Sequence, residues 1–237
     1  MRHLSRMAAP HWLAVYAGLA AAWIALWLAA AGSDPAPLAA MLRDLCLARA
    51  QDAGFPGILA MWLLMAAAMM LPTAIPAFAT HDEIAAAHGT GGGAALVAGY
   101  LGVWAGFAAL AAAAQTALAA TGWLAAPPFA AALLALAGLY QLSPLKAACL
   151  ARCRMPLTFF MAHWAEGPWR MGLRLGAVCL GCCWALMALG LIGGAMSLGL
   201  MALATALMMT EKLSRGVLAP RAIGLACLAG AGYLIGG

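Results

Sequence analysis

The chain has 237 residues, of which 67% are apolar and only 8% charged, with a mean hydropathy of +0.97. A soluble domain carries roughly 25% charged residues, so this chain lacks the polar side chains to coat a water-facing surface. The net charge of +5 implies no nucleic-acid partner, because basic residues in so apolar a chain report topology instead.

Several runs reach the ~20 apolar residues that a bilayer core demands. The composition therefore predicts an all-α, polytopic transmembrane helical bundle of about seven spans, near residues 11–31, 57–79, 94–120, 123–143, 172–194, 196–212 and 218–236. Six spans result if the first or last segment lies in the interface. The connections at 32–56 and 144–171 are too short to bury a core of their own, so residues 1–237 are expected to form a single integral membrane domain. The first run, His11 to Ala31, has the length of a span rather than the 7–15 residues of a signal-peptide core.

In the second segment, MWLLMAAAMMLPTAIP, Pro72 and Pro76 free the carbonyls of Ala68 and Pro72. Lipid cannot solvate such groups, so the span is expected to break here, against neighbouring helices. His81, Asp82, Glu83 and His88 follow, and are expected in a short flexible loop that could offer a harder metal ion a site. Gln115 in the third segment and Tyr140 and Gln141 at the end of the fourth suit hydrogen bonds between helices. Ser143-Pro144 reads as an N-cap followed by proline at the first helical position. Pro156 should end that short helix, which either lies along the membrane surface or continues the fourth span after a kink. Gly172 and Gly176 form a GxxxG pair, and Gly193-Gly194 predict a tight hairpin. Glu211 closes the sixth span, where pairing with Lys146, Arg174 or Lys212 would satisfy it.

Placing the N-terminus in the cytoplasm and alternating seven spans puts ten of the twelve basic residues on the cytoplasmic side, leaving only Arg43 and Arg49 outside. That is the distribution the positive-inside rule favours.

Sulfur carries the chemistry. Seven cysteines, an odd number lying mostly inside apolar runs, do not form a secreted disulfide framework. Cys179, Cys182 and Cys183 stand at i, i+3 and i+4 and share one helical face, which Met187 extends by a turn. Counting from Arg174, they lie ~7–13 Å along the helix. Cys149 and Cys153 occupy the segment before, at the same end, and Lys146, Arg152, Arg154, Arg170 and Arg174 are expected to rim the region. Soft sulfur selects Cu(I), zinc or iron–sulfur clusters. Four thiolates on a divalent ion leave a −2 site, costly in lipid, whereas two on Cu(I) leave −1. Met61, Met65 and Met69, with Met70 adjacent, make a second stripe, and Met196 and Met201 join Met187 at the outer end. Together they sketch a ladder of soft ligands. Packing explains such residues too, since methionine fills gaps and free cysteine behaves as a small apolar group; Cys46 and Cys227, each isolated, are read as structural. His163, Trp164 and Glu166 carry little signal. No nucleotide-binding, serine-hydrolase or helical HExxH signature occurs, so a binding role is expected ahead of an enzymatic one.

The blocks MWLLMAAAMMLP, GYLGVWAGF, GLYQLSPLKAACLARCRMP, RMGLRLGAVCLGCCWALMAL and EKLSRG, in this order, resemble a bacterial family of predicted metal-binding integral membrane proteins. The likeness covers about residues 57–230 and leaves the segment at 11–31 as an addition. It implies a multi-pass protein of the bacterial inner membrane. By position, Met61, Met65, Met69, Met70, Cys149, Cys153, Cys179, Cys182, Cys183 and Glu211 are its motif residues. The expected function is to bind, hold or move a soft metal, foremost Cu(I). The alternatives are an accessory subunit of a larger membrane complex, or a thiol-redox membrane protein. Expected partners are the bilayer, other membrane subunits or further copies of the chain.

Overall fold

A computed structural model describes residues 15–24, 54–192, 198–214 and 216–236. Among them the regular elements are helical, with no strand: α1 Val15–Ile24, α2 Gly54–Ala87, α3 Gly93–Ala120, α4 Pro127–Gln141, α5 Pro144–Cys153, α6 Pro156–His163, α7 Pro168–Ala188, α8 Leu198–Leu213 and α9 Leu218–Gly236. The expected segments are helical wherever they are described. Four helices are long and apolar enough to cross a membrane: α2, α3, α7 with its extension to Leu191, and α9. The number rises to five if α4 and α5, bent by 64° at their junction, act as one span. The described part of α1 and the 16 residues of α8 are shorter. The expected hairpin at Gly193-Gly194, together with Cys46 and Met196, lies outside the described residues.

Proline punctuates the second half of the chain. Pro127, Pro144, Pro156 and Pro168 all sit in the first turn of their helices, where the missing N–H would have had no partner. As the sequence predicts, Ser143 Oγ caps α5 by accepting from Lys146 N at 3.2 Å, and α5 ends just before Pro156. The chain turns at Leu142–Ser143, and α5 packs against α7.

Two expectations are corrected in α2. The helix does not break at Pro72 and Pro76 but runs through both. Its neighbours satisfy the carbonyl that Pro72 releases: Trp23 Nε1 of α1 donates to Ala68 O at 2.9 Å. Nor do His81, Asp82 and Glu83 form a loop, for they belong to the last turns of α2. Ile84 and Ala85 are buried there, and burial of those side chains draws the helix onward. His88 follows its end, with Nδ1 bonded to Ile84 O at 2.9 Å. His81 is completely buried, its ring 5.5 Å from those of both Phe160 and Trp164.

Small residues let the bundle close. At the α3–α7 crossing a Cβ on Gly99 would strike Trp169 O, one on Gly172 would strike Leu96 O, and one on Gly176 would lie 2.9 Å from Val103. The GxxxG pair of the sequence is thus a backbone-to-backbone contact, the kind of approach small residues permit in membranes. Gly138 and Gly224 do the same for α4 and α9. Gln115 links α3 to α2 by accepting from Trp62 Nε1 at 2.7 Å. The end of α2 and the starts of α3 and α7 meet at one end of the bundle, and the end of α8 is tied to α5. There Gly92, with φ of 117°, turns the chain against the Pro168 ring, and Arg154 holds Gly216 O at 3.0 Å.

Candidate metal centre

α7 presents the site because its thiols recur on the face turned toward α3, α5 and α8. Cys179, Cys182 and Cys183 are each buried, and their sulfur atoms all lie within 4.8 Å of one another. Cys182 Sγ is 3.3 Å from Cys183 Sγ and donates to Cys179 O at 3.1 Å. α5 adds a fourth sulfur, with Cys153 Sγ 3.7 Å from Cys182 Sγ. Cys149 stands beside this group. A Cβ on Gly181 would come within 2.7 Å of Cys149 Sγ, so the glycine inside CLGCC is what admits α5 to the face of α7. Tyr140, whose hydroxyl donates to Gly181 O, brings in the end of α4.

Three further helices complete the surroundings of Cys179. Tyr100 of α3 places its hydroxyl 3.1 Å from Cys179 Sγ and 3.2 Å from Met70 O. Lys212 of α8 donates to Cys179 Sγ at 3.1 Å and to Thr73 Oγ1 of α2 at 2.7 Å. Sequence reasoning missed Tyr100 and Thr73, and treated Lys212 only as a counterion for Glu211. Neighbours in sequence on a helix point about 100° apart, so Glu211 and Lys212 cannot serve the same partner. That was the available signal.

Glu211 faces away from the thiols. Lys146 Nζ donates to its two carboxylate oxygens at 2.7 and 3.0 Å, and Gln141 Nε2 donates to Oε1 at 2.8 Å. Arg154 grips the Glu211 backbone carbonyl at 2.7 and 3.0 Å. Of the three partners considered for Glu211, Lys146 is the one it takes, and each member of that pair is 1% exposed. Arg174 instead pairs with Glu166 at 2.5 Å on the exposed rim. Of the expected cationic rim, Lys146 and Arg154 thus bind Glu211 and Arg174 binds Glu166, while among the described residues the cation hydrogen-bonded to sulfur is Lys212.

The methionines divide. Met65 and Met69 of α2 and Met187 of α7 line a cavity of about 650 Å³, together with Met201 of α8 and Cys227 of α9. Met187 lies one turn beyond Cys183, so this cavity begins where the thiol cluster ends. Cys227, read as structural, is one of its walls. Met61 and Met70 are buried in the core and are not among the cavity's lining residues. Among the described residues no histidine joins a metal-ligating cluster. His81 and His88 both lie against the Trp164 ring, at 5.5 Å, and are separated by about two helical turns.

Three buried thiols of α7 within bonding reach of one ion, with a half-buried fourth from α5 beside them and a cation and a phenol hydrogen-bonded to Cys179, fit copper or another soft metal. No curated protein and no solved structure matches the chain. Residues 59–234, which hold every sulfur just described, match the PpoB2 family, described as a copper chaperone, and the chain belongs to that family.

Proposed function

We propose that the protein is a multi-pass component of the bacterial inner membrane that holds Cu(I) for transfer, with Cys179, Cys182, Cys183 and Cys153 as its binding thiols. The observation that carries this reading is the convergence of three buried sulfurs within 4.8 Å, with a fourth 3.7 Å from Cys182. Four helices of membrane-spanning length support the membrane assignment, and seven spans with a cytoplasmic N-terminus remain the topology that the basic residues favour. Monovalent copper suits the site because low coordination by soft sulfur leaves little net charge to bury.

Cys149 is a reserve thiol behind Gly181. Met65, Met69 and Met187 are exchangeable thioether ligands on the far side, with Met61 and Met70 shaping the helix that carries them. Glu211 positions α8. A chaperone requires a protein from which to receive copper and one to which to deliver it, so the expected partners are membrane subunits that dock at one end of the bundle, or further copies of this chain.

Competition against a chromogenic Cu(I) chelator under anaerobic conditions tests the reading. Wild-type protein should bind Cu(I) stoichiometrically, and the C179S/C182S/C183S variant should lose that binding. Equal binding by the two would remove the thiols from the function.

A further inference from the structure

Lys212 is the least expected group in the molecule. Its Nζ donates to Thr73 Oγ1 at 2.7 Å and to Cys179 Sγ at 3.1 Å. The adjacent carboxylate, Glu211, is already bound by Lys146 and Gln141. Lys212 is half-buried, and an ammonium drawn out of water toward an apolar interior calls for an anion close by. Around Lys212 the groups able to carry negative charge are sulfurs and one phenol: Cys179, Cys182, Cys183, Cys153 and Tyr100. None of them is a carboxylate. A positive charge has thus been built into the wall of a thiol cluster, held there by α8, whose end is itself clamped by Arg154 and Lys146.

Resting on the copper-thiolate reading, we propose that Lys212 is the specificity-determining counter-cation of the site. Cu(I) between two thiolates carries −1, and with the ammonium hydrogen-bonded to one of those sulfurs the assembly is neutral. A divalent ion on the same two thiolates beside Lys212 carries +1. It reaches neutrality only by deprotonating a third thiol in the buried cluster, which adds another charge to an apolar interior. In an apolar interior, where net charge is costly, the lysine therefore selects a monovalent soft ion. A thiol cluster lacking that cation would prefer zinc, because two thiolates alone neutralise a divalent ion.

The test compares Cu(I), Ag(I) and Zn(II) titrations of the wild-type protein and Lys212→Met in detergent, with Lys212→Arg as the conservative replacement. Removal of a group that supports a metal ligand weakens binding by about 10–100-fold. Lys212→Met should lose Cu(I) and Ag(I) affinity by that factor while Zn(II) binding holds or tightens, and Lys212→Arg should keep the wild-type preference. If Lys212→Met does not purify as a folded protein, Lys212→Gln removes the charge while keeping a donor for Thr73 and must give the same inversion. Equal weakening of all three ions would make Lys212 merely structural and overturn the proposal, leaving the thiol site intact. Undiminished Cu(I) binding by C179S/C182S/C183S would overturn the thiol reading and this inference with it.

Discussion

Glu211→Ala is expected to destabilise the protein by about 3–5 kcal/mol, because it leaves the ammonium of Lys146 buried without its partner. Lys146 and Glu211 are each 1% exposed. Water cannot take over at so buried a pair, and Glu166 is held by Arg174 at the rim. The loss should appear in unfolding of the detergent-solubilised protein. The double variant Lys146→Met/Glu211→Leu should recover most of it, since replacing both members of a buried pair by apolar side chains is often neutral. The consequence reaches function through geometry. The Lys146, Gln141 and Arg154 contacts hold α8 in register, and α8 carries Lys212 to Cys179. Glu211→Ala should accordingly lower Cu(I) affinity as well, although Glu211 touches no thiol, and the double variant should restore less of the affinity than of the stability. If the single variant is as stable as wild type, the pair is not the anchor of α8.

Gly172→Ala should cost about 2–3 kcal/mol, at the upper end of what overpacking usually does. The added methyl group has nowhere to go. It would meet the Leu96 carbonyl and the backbone behind it, and main chain cannot rotate aside as a flexible side-chain tip does. α3 and α7 must then separate, and the same crossing holds Tyr100 at 3.1 Å from Cys179 Sγ. A control substitution, Gly106→Ala on α3, meets no atom within 4 Å and should leave stability unchanged. Comparable stability of Gly172→Ala and Gly106→Ala would contradict the close crossing.

These two sites show what the sequence could and could not convey. Local rules were legible: the Ser143 cap with Pro144 after it, the shared face of Cys179, Cys182 and Cys183, and the need to satisfy Ala68 O. Each depends on residues within a few positions of one another. Whether a helix survives an internal proline is different, because it depends on what lies beside the exposed carbonyl; Trp23, 45 residues away, supplied that. The loop expected at His81 failed for a related reason. Polar side chains signalled solvent, while burial among Phe160 and Trp164 kept the turn helical.

The candidate site divides the same way. Helical periodicity put three thiols on one face but could not say which neighbour that face meets. Cys153 joined by way of Gly181, whose missing side chain is a signal only once α5 is known to lie there. Lys212 was hidden by its own neighbour, because Glu211 is the obvious counterion until the 100° between them is taken into account. Cys227 and Met201 became walls of a cavity only through the packing of α8 and α9 around it. Hydropathy also does not register the 64° bend at Leu142–Ser143, which decides whether α4 and α5 count as one span.

X-ray absorption at the copper edge, on protein loaded anaerobically with one equivalent of Cu(I), bears most directly on whether copper sits among these sulfurs. A first shell made of sulfur alone, lost in C179S/C182S/C183S, is the predicted result. A shell of nitrogen or oxygen, or a sulfur shell that persists in that variant, would place the metal somewhere other than the α7 thiols.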